Sequence, residues 1–240
     1  MTKRLSIDSA QRLRGMHDRL METYGPQHWW PAQSPFEVIL GAYLTQNTSW
    51  KAVEVSLANL RNAGALSIDG IRALSLERLQ VLIRPSGFYT RKAPALMAFV
   101  AMLDEEFHGS LEWAAETPTE PLRKRLLALP GVGPETADAI LLYAFSHPVP
   151  VADEYLRRIA ARHQLLEPLP QKNRKGYESL VQLTGEAFRH DPTRKRAQFF
   201  NEFHALTVAV GKAHCGKRPD CDNCPLAGDL LQIKKARKRN

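Results

Sequence analysis

A chain of 240 residues that is 44% hydrophobic and 24% charged has a globular balance and enough length for one large core or two small ones. No apolar run approaches the ~20 residues that span a bilayer, and the polar, basic stretch from Met1 to Gly15 has no signal-peptide core. A helical membrane protein is thereby excluded and a cytoplasmic one expected. The net charge of +8 favours a polyanionic partner through counterion release, although a basic solvated surface needs none.

Apolar residues recur at helical spacing from Phe36 to Leu60, at Val38, Ile39, Ala42, Val53, Leu57 and Leu60, and predict a long helix there. The same pattern predicts helices over Ile71–Ile83, Lys92–Phe107, Pro121–Leu129, Pro134–Phe145, Asp153–Leu165, Tyr177–Phe188 and Phe199–Lys212. Breakers fall at Pro31 to Pro35, Arg84-Pro85-Ser86-Gly87, Pro130 to Gly133 and His147-Pro148-Val149-Pro150. Strand alternation is weak and no repeat has a fixed period. The expectation is an all-α fold of two helical lobes: a central domain at 35–146, and a second that joins 1–34 to 147–240. The tail Lys234–Arg239 holds five basic residues in six and suits non-specific phosphate contact.

The most specific stretch is Leu129-Pro130-Gly131-Val132-Gly133-Pro134-Glu135-Thr136-Ala137. One helix stops at Pro130, two glycines permit positive φ and close approach of backbone, and Pro134 suits the first turn of a new helix. Such a turn offers free amides beside a loop without side chains, a phosphate site with no base-reading groups. An ordinary helix corner is the plainer alternative. Eighteen residues after Glu135 comes Asp153, which follows a Pro-containing loop and begins a helix; a simple N-cap is one role for it.

Three cysteines, Cys215, Cys221 and Cys224, cluster in the last tenth or so of the chain. An odd number without a secretion signal argues against a disulfide framework and for a metal site. Zinc held by the three thiolates plus His214 or an aspartate, and a metal-free remnant, are both open readings.

The hairpin and the later aspartate, together with Leu44-Thr45-Gln46-Asn47-Thr48, Gly87-Phe88-Tyr89, Lys92-Ala93 and the cysteines, resemble the endonuclease III superfamily of helix-hairpin-helix DNA glycosylases, from about Tyr24 to Leu226. The resemblance implies a base-excision enzyme with a DNA-binding cleft between its lobes, acting as a monomer on double-stranded DNA with damaged bases, nucleoid-associated in the cytoplasm. Asp153 is then the catalytic carboxylate, stabilising an oxocarbenium-like sugar and orienting water. Gly131, Val132 and Gly133 bind the DNA backbone, Gln46 enters the space left by the flipped base, and Phe88 is the wedge in the opposite strand.

Bifunctional relatives carry a lysine two positions after Gly-Val-Gly, and its amine forms a Schiff base. This chain has Glu135 there, which implies a monofunctional enzyme unless another lysine, Lys124 first among them, substitutes. Tyr24 to Pro31 with its Trp29-Trp30-Pro31 run, and Trp50 after Gln-Asn-Thr, look like the 3-methyladenine branch, in which these aromatics stack on an alkylated purine; core packing is the alternative for each tryptophan. Oxidised pyrimidines are the second substrate class. A non-catalytic helix-hairpin-helix DNA-binding protein and an iron–sulfur electron carrier are the readings from other classes. The iron–sulfur members carry four cysteines spaced x6, x2 and x5. Here the first gap is x5 and Leu230 stands at the fourth position, so the resemblance implies a [4Fe–4S] cluster on Cys215, Cys221 and Cys224 with Asp229 as an oxygen ligand.

Overall fold

The computed structural model describes residues 7–30 and 32–230. The chain is all-helical over them, and no described residue forms a strand. In order, the helices are α1 (Ile7–Tyr24), α2 (Pro35–Leu44), α3 (Trp50–Asn62), α4 (Ile68–Arg72), α5 (Leu76–Ile83), α6 (Tyr89–Phe107), α7 (Leu111–Glu116), α8 (Thr119–Ala128), α9 (Pro134–Ala139), α10 (Glu154–Arg162), α11 (Arg174–Ala187) and α12 (Thr193–Ala213). A 3-10 turn at Arg84–Ser86 precedes α6, and a π-helical turn at Ile140–Ala144 prolongs α9. Pro31 and Lys234–Arg239 lie outside the described residues.

The chain forms two compact units: one from Trp30 to His147, and one that joins the segment ending at Trp29 to the residues from Pro148 onward. In the first, α2 is buried from Phe36 to Leu44, and α3, α6 and the π-helical turn pack on it. A helix that is apolar on every side must sit inside. Ile39, Leu44, Leu60, Leu96, Phe99, Leu126 and Ile140 fill this core. In the second unit α1 packs on α11 and α12, and α10 packs on the same two helices around Leu13, Leu20, Leu156, Leu183, Phe188 and Phe203. Gly211 on α12 lies directly against the ring of Tyr155, where an added Cβ would collide. Close approach of α10 to α12 therefore depends on that glycine.

Two predicted helices are each split. The Phe36–Leu60 pattern becomes α2 and α3, because Thr45 to Ser49 leave the helix and Asn47 takes φ 53°. Hydroxyl and amide side chains there compete with the helical ladder, so a Thr-Gln-Asn-Thr-Ser run outweighs the apolar period on either side. The Ile71–Ile83 pattern divides at Ser75, whose hydroxyl accepts from Arg78 N–H at 3.1 Å and caps α5. The longest element without a sequence expectation is α1.

Candidate nucleic-acid interface and active site

In the unit from Trp30 to His147, the hairpin joins α8 to α9. Gly131 has φ 74°, a left-handed conformation that a Cβ would strain. Gly133 corrects the expectation for the second glycine: it is the extended N-cap of α9 at φ −94°, and a Cβ built on it meets nothing within 4 Å. Its value lies in the open space beside it. Val132 N–H closes the turn on Leu129 O at 3.3 Å, and Pro134 occupies the first helical turn. A buried ion pair unites the two helices: Arg123 on α8 donates to both oxygens of Asp138 on α9, at 2.6 and 3.0 Å, and Asp138 is fully buried. Glu135 is exposed in the first turn of α9, where a carboxylate complements the helix dipole. Lys124 is exposed on α8.

Gln46 and Phe88 occupy the two loops beside α2. The Gln46 amide donates to Gly131 O at 3.0 Å and to Thr136 Oγ1 at 2.9 Å, so it lies against the hairpin. Phe88 stands 58% exposed at φ 48°, an unusual conformation for a bulky residue. Trp30 and Trp50 meet edge to face, ring centroids 5.4 Å apart, and Tyr143 from the π-helical turn lies 5.2 Å from Trp30. Gly41 on α2 leaves room for both indoles; a Cβ there would sit 3.2 Å from Trp30 and 3.5 Å from Trp50. Tyr143 was missed from the sequence, since nothing local marks a π-helical turn, although such turns recur at functional sites. Trp29 belongs to the other unit, where Lys212 Nζ stands 5.8 Å above its ring.

In that other unit Asp153 caps α10, with Oδ1 accepting from Leu156 N–H at 2.9 Å. Its Oδ2 lies 3.7 Å from Nε2 of the buried His204 on α12. The cap fixes the carboxylate through Oδ1 and leaves Oδ2 outside the capping hydrogen bond. Here too the sequence carried no sign of the histidine.

The cysteine loop follows α12. Arg162 on α10 donates to Cys215 Sγ at 2.8 Å and to Gly216 O at 2.7 Å, and Arg158 donates to Cys215 O at 2.9 Å. Burial pushes the Cys224 thiol up, and the neighbouring Cys215 and Cys221 push it further. Asp229, expected as an oxygen ligand, is engaged by other side chains. Arg12 holds both of its oxygens, at 2.8 and 2.7 Å, and His163 Nδ1 lies 2.7 Å from Oδ2. Burial would raise the Asp229 carboxyl, but the hydrogen bonds from His163 and Arg12 outweigh it and hold it at about 2. Among the described residues, no group of three or more His, Cys, Asp or Glu is arranged to hold a metal ion. The three thiols, and an Asp229 carboxylate already held by Arg12 and His163, do not supply the four-ligand set expected of zinc or of a cluster.

Hairpin, capping aspartate and aromatic cluster define a class, the helix-hairpin-helix glycosylases. Residues 40–182 match the HhH-GPD superfamily of base excision DNA repair proteins, more than half of the chain. The chain belongs to that superfamily and is a DNA glycosylase. It is 38% identical over 209 residues to a candidate DNA repair glycosylase of Methanocaldococcus jannaschii, covering 86% of this chain and 90% of the relative. It is 30% identical to the H. pylori 3-methyladenine DNA glycosylase MagIII, solved bound to 1,N6-ethenoadenine, with a TM-score of 0.71 over 85% of this chain and 97% of that one. An endonuclease III solved in a non-covalent DNA complex has the same fold at 24% identity, with a TM-score of 0.73 over 96% of this chain and 99% of that one. No helix among the described residues is long and apolar enough to cross a membrane.

Proposed function

We propose that this glycosylase is monofunctional and removes alkylated purines such as 3-methyladenine from double-stranded DNA by hydrolysis. One observation carries the substrate class: Trp30, Trp50 and Tyr143 form a cluster in which the other two rings lie 5.4 and 5.2 Å from Trp30. Alkylated purines are electron-poor and often cationic, and an aromatic face attracts such a ring more than a neutral oxidised pyrimidine. The similarity to a 3-methyladenine glycosylase supports the same class.

The reaction follows from two carboxylates. Asp153 Oδ1 is held by the α10 cap, so Oδ2 is the oxygen that stabilises positive charge on the sugar and orients water. Glu135 stands where the bifunctional relatives carry a lysine, and a carboxylate forms no Schiff base. Gly131, Val132 and Gly133 bind the DNA backbone, Gln46 fills the gap in the stack, and Phe88 unstacks the opposite strand. For Gln46 this requires release from Gly131 O and Thr136, an exchange of hydrogen bonds within the duplex.

A lesion panel in duplex DNA, resolved with and without alkali, tests the reading. The expected result is faster release of 3-methyladenine than of thymine glycol, with scission only after alkali and little adduct trapped by borohydride. Faster release of thymine glycol overturns the substrate class, and efficient trapping overturns the hydrolytic step and makes Lys124 the first amine to test.

A further inference from the structure

Lys92 lies in the first turn of α6 and is only 4% exposed. A lysine almost never sits so deep unless its ammonium is satisfied. Here Nζ donates to Leu44 O at 2.7 Å and to Ser86 O at 2.8 Å. Leu44 ends α2, and its carbonyl is one of those that a helix C-terminus leaves without an intrahelical partner. Two residues later comes Gln46. Ser86 ends the 3-10 turn, and two residues later comes Phe88.

The same residue also braces Phe88 from the other side. Lys92 N–H donates to Phe88 O at 3.0 Å, while Nζ holds Ser86 O. Gly87 at φ 65° and Phe88 at φ 48° are thus fastened at both ends. A left-handed backbone on a bulky residue persists only where its surroundings dictate it. The ammonium lies 6.0 Å from the centroid of the Phe88 ring.

We propose that Lys92 is a positioning residue for base extrusion: its ammonium ties the Gln46 loop to the Phe88 loop and sets both against the DNA stack. The proposal rests on the reading of Phe88 as the wedge. Burial lowers the amine to about 8, a value suited to a nucleophile, but its depth and its two carbonyl partners assign it to structure around the wedge rather than to attack on the sugar.

The test separates unstacking from binding. A duplex carries 2-aminopurine opposite a tetrahydrofuran abasic analogue; fluorescence reports unstacking of that base, and anisotropy reports affinity in the same titration. Wild-type protein should raise the fluorescence, and Phe88→Ala should abolish most of the rise. Lys92→Met should cut it at least ~10-fold while affinity changes less than ~3-fold, since small displacements of a positioned group are costly. The double variant should lose no more than the worse single variant, because both changes remove one device. Lys92→Gln, with a shorter neutral donor, should fall between wild type and Lys92→Met. Absence of any rise with wild-type protein, or an unaffected rise with Phe88→Ala, sinks the wedge reading itself. A Phe88-dependent rise that survives Lys92→Met overturns the role of the lysine alone. Loss of the folded state in both lysine variants, seen by circular dichroism, assigns Lys92 to stability only and also overturns it.

Discussion

The hairpin and the cysteine loop are both irregular connections beside a helix end, yet they are held in different ways. The hairpin takes its shape from backbone: a left-handed Gly131, a proline on either side, and one buried Arg123–Asp138 pair between residues fifteen apart. The cysteine loop is held by charged side chains from far along the chain, with Arg12 reaching Asp229 across 217 residues and Arg162 reaching Cys215 across 53. A surface that meets a polyanion gains from exposed amides and few side chains. A loop that only has to stay folded can use bulky charged groups, whose partners come from anywhere in the unit. The difference teaches that one connection is shaped by its own backbone and near neighbours, and the other is stapled by charged side chains from distant parts of the chain.

The largest effect should come from breaking the buried ion pair of the hairpin. Arg123→Leu removes the ion pair and both hydrogen bonds that Arg123 gives the fully buried Asp138, and breaking a buried pair by deleting one partner costs about 3–5 kcal/mol. Urea melts of the variant should move by that amount. A shift below ~1 kcal/mol would mean that the backbone alone holds the hairpin.

Asp153→Asn should come next and should sharpen the division between contact and chemistry. Excision should drop at least ~100-fold while duplex affinity stays near that of the wild type, as for a lost electrostatic or acid–base group. Single-turnover rates and anisotropy, measured together, check it. Retained excision in the folded variant removes Asp153 from the mechanism.

Asp229→Ala tests the staple. The folded carboxyl is held at about 2, below its ordinary value of 3.8. A depressed carboxyl contributes stability above the unfolded value and loses it as pH falls toward the folded one, so the ion pair contributes ~2 kcal/mol at neutral pH and little near pH 2. Melting temperatures of wild type and variant should differ at pH 7 and converge as pH falls from about 4 to about 2. Chelators should leave the wild-type melt unchanged. A large fall on chelation would mean that metal, not Arg12 and His163, holds the loop.

The smallest effect separates the two hairpin glycines. Gly131→Ala should cost ~1–2 kcal/mol because its φ is positive. Gly133→Ala should be near neutral in stability, since φ is ordinary and the space is open, yet it should weaken duplex binding several-fold by keeping phosphate away. Equal melting shifts for the two would erase the distinction between strain and access.

Much of this enzyme was readable from short stretches of its chain. Proline and glycine act on their immediate neighbours, so Leu129 to Ala137 announces its turn without help from the rest of the molecule. Asp153 as a helix cap followed from its place after Val149-Pro150-Val151, and the all-helical fold from the 3.6-residue period. The breaks at Thr45–Ser49 and Ser75 were also written locally, in hydroxyl and amide side chains that the apolar period overshadowed.

What the tertiary structure alone decided are pairings between distant residues and the conformation of side chains within a core. Asp229 was expected as a ligand from its place one residue before the fourth cysteine position; that Arg12 and His163 hold its carboxylate is decided only by the fold. Tyr143 joins Trp30 only because the π-helical turn presents it there. Lys92 stands out in sequence only as part of a motif at a helix start, and its two carbonyl partners exist only once α2 and the 3-10 turn are folded against it. Neighbour sterics act within a few residues and are legible in sequence, whereas an ion pair or a buried ammonium depends on where the fold places its partner.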